Sequence, residues 1–398
     1  MLHLRRHPLA VAVCVAVLAA AYVSLPGVVD VLTGAPPGDA DLVRPTTYVL
    51  SAPLSNVLDA MTFLSLDRAL AFLVTWVLLL AALGAVRRGS ARRRVLRAVA
   101  GALIPVVAAL ATVLLPRPVP RLVTQDDGVS VLDFHSHTAA SHDGRRGWTL
   151  GRVAAWHAAQ GFQAAYITDH NKPNAGSTDA AIPLLPGVEW SVYRQHIVAL
   201  GASTPLDLAP YSKDTPGMLG LFAALHAQGA LAIASLPEYW ANHREDLEQF
   251  VSAGVDGFEI VNCAPKPLAF PSRARDDVID LARRHDLLVT GASDSHGWGR
   301  VTCVWNVSIA GAHGFGSNHV IARPLALKQG DLPTLSAGWS QLWLMFRTLS
   351  WPERISWLTW TLVIAIWRDP TRRKGQRAGL GILARELGRK PAQDAADA

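Results

Sequence analysis

The segment Val131-Leu-Asp-Phe-His-Ser-His137 is an alternating apolar and polar run, and Asp133, His135 and His137 occupy every second position. Because successive side chains of a β-strand point to opposite faces, these three side chains project from one face. Two imidazoles on the same face can bind a single cation. The segment therefore predicts a strand that contributes to a metal site.

Further histidines and carboxylates follow downstream, several of them at or just after the end of a short apolar run. In a barrel of parallel strands, the loops at this end of the strands carry the functional groups. In chain order, the clusters are His142-Asp143-Gly144, Ile167-Thr-Asp-His170, Gly187-Val-Glu189, His196 and Asp294-Ser-His296.

Between these clusters, short apolar runs alternate with stretches of helical periodicity, a pattern that predicts an α/β fold with a parallel sheet or barrel. Predicted helices cover residues 150–160, 218–228 and 273–285. The predicted strands are residues 164–168, 184–190, 196–200, 230–235, 257–262 and 287–292.

The ordered clusters resemble the motifs of the polymerase and histidinol phosphatase (PHP) family of metal-dependent phosphoesterases. The matching positions are a D-x-H-x-H opening, a T-D-H step, a G-x-E step, a histidine leading the strand His196–Gly201, and a D-x-H close, within residues 125–310. The resemblance implies a distorted (β/α)7 barrel. It also implies hydrolysis of phosphate esters with two or three divalent metal ions, which would be manganese, zinc or iron.

The resemblance further implies which side chains bind the metals. His135 and His137 would bind one metal, Glu189 would bridge to a second, and Asp294 would complete the first site. The sequence Ser141-His-Asp-Gly144 replaces the Ser-Asp-Gly of many relatives, which leaves the choice between its histidine and its aspartate open. The remaining ligands would be His196 in the second site, and His170, His296 and one of His142 or Asp143 in the third.

Three more side chains are candidates for catalytic roles. Asp133 and Asp169 precede ligand histidines, and a carboxylate beside an imidazole usually orients the ring. A buried hydrogen-bonding aspartate is the alternative for both. Arg145 follows the histidine loop together with Arg146, and it could bind a substrate phosphate through bidentate hydrogen bonds. A solvated loop arginine is the alternative there.

One position departs from the family pattern. Relatives commonly have a His-Pro dipeptide after the strand corresponding to Leu231–Ser235, and this histidine binds metal. The dipeptide here is Leu236-Pro237, and leucine has no lone pair to donate. Glu238 and His243 are the nearby candidates for the missing ligand. The departure also keeps a second function open, a catalytically impaired metal-binding module for sensing or scaffolding at the membrane.

Several other polar residues are not expected to bind metal. Glu259 lies in a strand resembling one of the family's and could face the barrel centre, but we do not expect it to be a ligand. His157, His226 and His285 lie on predicted helices away from the motifs, where we expect surface residues.

The chain has three cysteines, too few for a disulfide framework. Cys14 lies in the first apolar segment. Cys263 and Cys303 would pair if their strands were neighbours, but we favour two small buried residues.

Half of the residues are hydrophobic and the mean hydropathy is +0.22, which directs attention to membrane segments. Apolar runs cover residues 9–25, 69–86 and 99–115, and six arginines lie between the second and third runs. Arginine-rich loops stay in the cytoplasm. Residues 1–116 are therefore predicted to cross a cell membrane three times, leaving the catalytic domain extracytoplasmic. The first run also fits a signal peptide.

The remaining chain divides by composition. Residues 117–124 form a proline-rich linker and residues 125–335 the barrel. Residues 336–398 are rich in tryptophan and end in a basic tail, which predicts interfacial or membrane-associated helices, with a fourth membrane crossing as the alternative.

The net charge of +6 comes largely from arginines beside the apolar runs, so membrane lipids are the expected partners. Nucleic acid is not expected, since no polymerase region is present and the arginines do not follow a groove. An active site close to a bilayer suggests a phosphorylated small molecule or a lipid or envelope phosphoester as substrate. The sequence does not identify protein partners.

Overall fold

A computed structural model describes residues 7–126, 128–299, 301–308, 322–327 and 333–368, in which helices and strands build a mixed α/β fold. The helices are α1 (Pro8–Tyr22), α2 (Thr46–Leu50), α3 (Ala52–Thr62), α4 (Leu66–Val86), α5 (Ala91–Leu114), α6 (Leu150–Ala159), α7 (Thr215–His226), α8 (Leu236–His243), α9 (Leu247–Ser252), α10 (Ser272–His285), α11 (Ala337–Thr348) and α12 (Trp351–Arg368). The strands are β1 (Val28–Asp30), β2 (Ala40–Val43), β3 (Arg121–Thr124), β4 (Ser130–Ser136), β5 (Ala164–Ile167), β6 (Leu184–Val192), β7 (Gln195–Leu200), β8 (Leu231–Ser235), β9 (Gly257–Asn262), β10 (Leu288–Ala292), β11 (Val304–Ser308) and β12 (Ala322–Leu327).

A ten-stranded sheet forms the centre of the fold, in the order β1-β12-β11-β4-β5-β6-β7-β8-β9-β10. Neighbours are parallel from β4 to β6 and again from β8 to β10. Strand β7 is antiparallel to both of its neighbours. A tight turn joins β6 to β7, and Arg194 in this turn has a positive φ of 51°. The sheet is therefore mixed, where the sequence pattern predicted mainly parallel strands.

The sheet curls until the end of β10 meets the end of β4. The Asp294 backbone N–H donates to the His135 carbonyl at 2.9 Å, and the His137 N–H donates to the Ser295 carbonyl at 3.0 Å. A complete (β/α)7 barrel is not confirmed, because the sheet continues beyond β4 through β11, β12 and β1. The curl nevertheless brings the polar ends of β4, β6 and β10 to one place.

The two faces of the strands differ in polarity as their alternation requires. In β9, Phe258 and Ile260 are fully buried in an apolar core, and Glu259 between them points to the opposite face. The rings of Phe222 from α7 and Phe250 from α9 extend this core, with centroids 5.8 Å apart. One face of the sheet thus packs on helices and the other carries the polar side chains.

Two strands come from the segment that precedes α4, where the sequence pattern predicted no strand. Val28 to Asp30 of β1 pair antiparallel with residues 325–327 of β12. Ala40 to Val43 of β2 pair antiparallel with residues 121–124 of β3. The chain before α4 and the chain after α5 therefore pair with each other.

Helices α4 and α5 form an apolar hairpin, with 21 and 24 residues. Among the described helices, only these two are long and apolar enough to cross a membrane, and 11% and 17% of their most apolar windows are buried. Such exposed apolar faces are unlike those of a core helix. At 15 residues, α1 is shorter than the roughly 20 that a crossing needs.

Glycines let the two helices of the hairpin touch. A Cβ at Gly101 would lie 2.4 Å from the Leu80 carbonyl oxygen, and a Cβ at Gly84 would lie 2.5 Å from the Arg97 carbonyl oxygen. These distances are far shorter than any real Cβ contact, so the backbones approach as only small residues allow.

The two tryptophan-rich helices α11 and α12 pack on this hairpin and on the helices before it. Trp76 of α4 donates to the Gly338 carbonyl at 2.9 Å. Glu353 of α12 is buried, accepts from Asn56 at 2.6 Å and pairs with Arg44 at 3.0 Å. The predicted basic tail, residues 369–398, lies outside the described residues.

Cys263 and Cys303 form a disulfide, so the favoured interpretation of two unpaired cysteines was wrong. The two residues follow β9 and precede β11, which are not neighbours in the sheet. The curl of the sheet brings their Cα atoms to 5.5 Å. This proximity is a property of the tertiary fold, which residue spacing along the chain does not encode.

Candidate metal centre

The side chains that the sequence predicted as metal ligands lie together at the rim where β4, β6, β7 and the loop after β10 meet. They form four overlapping groups of three, and within each group one possible ligand atom per residue lies within 4.8 Å of the others. The groups are His135, His137 and Asp294; His137, His170 and His296; His142, Asp143 and His170; and His170, Glu189 and His196.

The first group joins β4 to the loop after β10. His137 Nε2 lies 3.0 Å from His135 Nε2 and 3.1 Å from Asp294 Oδ1. Both imidazoles are buried. Asp294 has a positive φ of 46°, an uncommon conformation that aspartate adopts more readily than most non-glycine residues. Its backbone N–H donates to the carbonyl of residue 135, which ties this position to the end of β4.

Glu189 on β6 is the centre of the cluster. Its Oε2 lies 2.9 Å from His170 Nδ1, 3.2 Å from His135 Nε2 and 3.3 Å from His137 Nε2. Its Oε1 lies 2.6 Å from His196 Nδ1. One carboxylate therefore contacts four imidazoles, with one oxygen on each side. This is the arrangement of a group that can bridge two cations.

The loop after β4 contributes His142 and Asp143 to the cluster. His296 Nε2 lies 3.1 Å from Asp143 Oδ1, and His170 Nε2 lies 3.6 Å from Asp143 Oδ2. His142 has its side chain 79% exposed, and its Nδ1 is 3.9 Å from Asp143 Oδ1. Of the two residues that the sequence left open, Asp143 is the one that contacts two other histidines of the cluster.

Four buried atoms in the cluster make no well-aligned hydrogen bond among the described residues, although each lies 2.9–3.1 Å from an atom of a neighbouring imidazole or carboxylate. An unpaired buried polar atom costs about 1–3 kcal/mol. Divalent cations bonded to these atoms would remove that cost, and a mixed set of imidazoles and carboxylates suits zinc, manganese or iron better than calcium. The residues present therefore fit a metal centre. The four atoms are His170 Nδ1, Glu189 Oε2, Asp294 Oδ1 and His296 Nε2.

The protonation equilibria reflect the close packing of opposite charges. Burial raises the pKa of Glu189, but the charges of His135 and His196 and the hydrogen bonds from His135 and His170 together outweigh burial and hold the pKa well below its ordinary value. Burial and the neighbouring His296 lower the pKa of His137 to about 4. Burial lowers the pKa of His296 itself, but its hydrogen bond to Asp143 and the charges of Asp294 and Asp143 together outweigh burial and raise the pKa to about 9. A metal bound at His296 would therefore have to displace a proton.

Glu259 contacts the ring of His135, the first predicted ligand, although the sequence indicated no role for this residue in the site. Its Oε2 lies 2.8 Å from His135 Nδ1, and its Oε1 accepts from Ser235 at 2.6 Å and from Asn262 at 2.8 Å. Asn262 also donates to Asp294 at 3.0 Å. A carboxylate on one ring nitrogen leaves the other nitrogen free to bind metal. The alternation in β9 could have indicated this, because residue 259 lies on the face opposite the apolar core.

Asp169 acts on the cluster through neighbours. Its carboxylate accepts from the Thr138 N–H at 2.7 Å and from Ser141 Oγ at 3.1 Å. Ser141 Oγ in turn lies 2.9 Å from His137 Nδ1. The carboxylate therefore holds the loop after β4 and does not itself contact a ligand imidazole in this network.

Asp133 lies behind the cluster. Its carboxylate lies 2.8 Å from His157 Nε2 and accepts from the backbone N–H groups of Ser293 at 3.1 Å and His135 at 3.3 Å. His157 is fully buried, so its prediction as a surface residue was wrong. Its other ring nitrogen bonds to the Val153 carbonyl at 2.8 Å, which explains how a histidine can be buried at this position. His226 and His285 are exposed.

Arg145 is half-buried beside Asp143 and His296. Its backbone N–H donates to the His296 carbonyl at 2.9 Å, and its guanidinium lies over the Trp298 ring, 5.8 Å from the centroid. The guanidinium also donates to the Gly297 carbonyl at 3.3 Å. This places a fixed positive charge at the rim of the cluster, and its binding of a substrate phosphate stays a prediction.

No model of a protein family matches the chain, and no curated protein matches it. Several solved structures are similar to about half of the chain. PsfC from Pseudomonas syringae is 18% identical over 55% of this chain and 96% of its own, with a TM-score of 0.37. A protein proposed to be a metal-dependent phosphoesterase, from Bifidobacterium adolescentis, is 19% identical over 48% of this chain and 92% of its own, with a TM-score of 0.32.

Two further solved structures are similar over just under half of the chain. A two-domain protein from Bacteroides vulgatus, predicted to contain a PHP-like metal-dependent phosphoesterase, is 18% identical over 46% of this chain and 59% of its own, with a TM-score of 0.33. The lesion-specific endonuclease EndoQ from Pyrococcus furiosus is 12% identical over 45% of this chain and 52% of its own, with a TM-score of 0.31. PHP-like metal-dependent phosphoesterases are thus among the structures similar to this chain.

Proposed function

We propose that this protein is a membrane-anchored, metal-dependent phosphoesterase with a PHP-type distorted (β/α)7 barrel. The observation that carries the proposal is Glu189, a buried carboxylate with one oxygen against three imidazoles and the other against a fourth. Such a carboxylate is suited to joining two metal sites, and adjacent divalent metals are the usual catalysts of phosphoester hydrolysis.

Two or three divalent ions of manganese, zinc or iron would be held by the cluster. When bound, they would neutralise charge on the phosphoryl oxygens and supply hydroxide at neutral pH. Glu259 and Ser141 would keep the ring nitrogens of His135 and His137 directed at the ions. The ligands would be His135, His137 and Asp294 for one ion, Glu189 and His196 for a second, and His170, His296 and Asp143 for a third, with His142 beside it.

The substrate's phosphate would meet positive charge from the chain as well. Arg145 is held between the Gly297 carbonyl and the Trp298 ring, so little rotamer freedom is lost when its guanidinium binds a phosphate oxygen. Asp133 and Asp169 would act as positioning residues, since their carboxylates hold the backbone around the ligands. A phosphorylated small molecule or a lipid or envelope phosphoester is the proposed substrate.

The apolar hairpin α4–α5 would anchor the protein. Strands on both sides of the hairpin pair with each other, which requires its two ends to lie on the same side of a membrane. Its arginine-rich tip, residues 87–94, would remain in the cytoplasm and place the sheet outside. The Cys263–Cys303 disulfide supports this location, because disulfides persist in oxidising compartments. The apolar run of residues 9–25, which extends beyond the end of α1, would add a third crossing.

The proposed domain organisation follows the chain. Residues 1–116 would form the membrane region, which also contributes β1 and β2 to the sheets. Residues 117–124 would form the linker, which ends in β3, residues 125–335 the phosphoesterase and residues 336–398 the membrane-associated helices and tail. A reporter enzyme fused after residue 120 tests the sidedness. Activity of an extracytoplasmic reporter is expected, and activity of a cytoplasmic reporter alone would reject the topology.

The function is tested on the full chain, purified in detergent, stripped with a chelator and reloaded with manganese or zinc. Phosphomonoesters, phosphodiesters, phospholipids and DNA are screened in parallel. Glu189→Gln should remove metal binding and hydrolysis, and Glu245→Gln, which alters an exposed glutamate, should change neither. A metal-loaded wild type that hydrolyses none of these substrates, or a Glu189→Gln variant that hydrolyses as fast as wild type, would sink the proposal.

A metal-binding sensory or scaffolding module is the second candidate, and Leu236 is the observation that favours it. This residue is fully buried in the apolar core at the position of a ligand in relatives. Metal content separates the two candidates. Two or three tightly bound ions per chain favour the enzyme, whereas fewer than two favour the module.

A further inference from the structure

The site that contains His196 lacks a ligand from the β8–α8 junction. Leu236, the first residue of α8, is fully buried among apolar side chains and cannot bind a cation. With His170 assigned to the third ion, His196 and Glu189 offer two ligand atoms 2.6 Å apart, which is few for a divalent ion. The two other candidates on α8, Glu238 and His243, differ in what already surrounds them.

Both ring nitrogens of His243 are engaged elsewhere. Its Nε2 lies 2.9 Å from the Arg194 carbonyl oxygen, and its Nδ1 lies 3.2 Å from Asp246 Oδ2. The side chain is 2% exposed. To bind metal, it would have to break both contacts inside the core, so His243 is a structural residue of the α8–α9 corner.

Glu238 is directed at the cluster from the first turn of α8. Its Oε2 lies 3.9 Å from His196 Nδ1, the same nitrogen that contacts Glu189. Ligand atoms about 2.1 Å from one metal lie about 3.0–3.4 Å apart in octahedral or tetrahedral geometry. A shift of about 1 Å or less would therefore bring this oxygen into the ligand shell of an ion bound to His196 Nδ1.

The other oxygen of the same carboxylate is held from the opposite side. Lys266 Nζ lies 2.5 Å from Glu238 Oε1, and its ammonium is 5.2 Å from the centroid of the Tyr239 ring. The Tyr239 hydroxyl lies 3.3 Å from His196 Nε2. With a metal on Nδ1, that second nitrogen would donate to the hydroxyl and fix the ring. Lys266 and Tyr239 thus support the carboxylate and the imidazole of one site.

We infer that Glu238 is a protein ligand, beside Glu189 and His196, of a divalent cation at the rim of the cluster. Lys266 and Tyr239 are its positioning residues. A ligand set of one imidazole and two carboxylates suits manganese, iron or zinc. The inference rests on the proposed metal centre. The inference adds that a carboxylate from α8, that of Glu238, supplies the ligand that Leu236 cannot provide.

The test measures metal binding on the full chain in detergent. Apo wild type, Glu238→Gln and Glu245→Gln are titrated with Mn2+ and Zn2+, and the bound ions are counted after gel filtration. Glu238→Gln should weaken one site at least tenfold, since even residues that only support a ligand cost about 10–100-fold in affinity. Cobalt-loaded Glu238→Gln should also show an altered visible spectrum. Glu245→Gln is the matched control, because its glutamate is exposed and, within the described part of the chain, forms an ion pair only with Arg244.

The possible outcomes separate this inference from the proposed function. A wild type that binds two or more ions, together with a Glu238→Gln variant that has the same affinities and cobalt spectrum, would overturn the role of Glu238 alone. A site weakened in His243→Gln and intact in Glu238→Gln would overturn it in favour of the histidine. A wild type that binds no ion would overturn both proposals.

Discussion

Replacing Glu259 by glutamine should weaken the metal centre without touching a metal ligand. Glu259 accepts hydrogen bonds on both oxygens: from Ser235 and Asn262 on Oε1, and from His135 Nδ1 on Oε2, at 2.6, 2.8 and 2.8 Å. A glutamine has one oxygen and one NH2 group. Whichever way it turns, a donor will face a donor at this buried position.

The unfavourable arrangement has a definite consequence for the ligand. If the glutamine NH2 faces His135, Nδ1 must accept, and the ring proton moves to Nε2, the atom that lies 3.2 Å from Glu189. A protonated nitrogen cannot bind metal. Loss of such a supporting contact costs about 10–100-fold in metal affinity, or about 1.4–2.7 kcal/mol.

The assay is competition of Zn2+ or Mn2+ between the full-length protein and a chromophoric chelator. Glu245→Gln serves as the control, and thermal unfolding with a chelator present checks that the apo protein is folded. An affinity of Glu259→Gln within twofold of wild type would refute the reasoning, because it would show that this carboxylate does not set the ring tautomer.

Three further predictions concern protons, the disulfide and the helix hairpin. Metal binding should release a proton near pH 7, and metal affinity should increase as the pH rises towards 9, because the pKa of His296 is raised to about 9 in the metal-free protein. Calorimetry in buffers of different ionisation enthalpy measures the proton release, and metal binding without proton release would contradict the prediction. Reduction of the Cys263–Cys303 disulfide should destabilise the fold by about 4 kcal/mol, the chain-entropy value for a separation of 40 residues. It should also lower the metal affinity, because the adjacent Asn262 would lose its fixed position. An unchanged denaturation midpoint in reductant would contradict the predicted destabilisation. Gly101→Leu should destabilise the hairpin by about 1–3 kcal/mol, since a Cβ at this position would lie 2.4 Å from the Leu80 carbonyl oxygen. Ala100→Leu, on the exposed side of the same helix, should have little effect. Equal melting temperatures for the two variants would contradict the close packing of the two helices.

The strands and helices of the central fold were largely predictable because their patterns are local. Alternation in Val131–His137 predicted β4, and the helical spacing in residues 273–285 predicted α10 within one residue. The convergence of Asp294 with His137 was expected only through the order of motifs, since it depends on the curl of the sheet. The curl follows from twist and pairing across the whole sheet, which no short segment encodes.

Features that depend on distant partners were the ones missed. Cys263 meets Cys303 only after the sheet curls. His157 could be buried only because Asp133, from a different element, lies 2.8 Å from its Nε2. The apolar faces of helices are visible in a sequence, but a polar residue's partner across the fold is not.

The pairing of β1 with β12 and of β2 with β3 bears on how the protein can be handled. A shortened version starting at Arg121 would lack both upstream strands and would leave β12 and β3 with unpaired backbone groups. Exposed strand edges of this kind invite association with other chains. Trimming away the apolar hairpin to obtain a soluble catalytic fragment would therefore favour aggregates, and detergent micelles or lipid discs around the intact polypeptide are the appropriate setting for biochemistry.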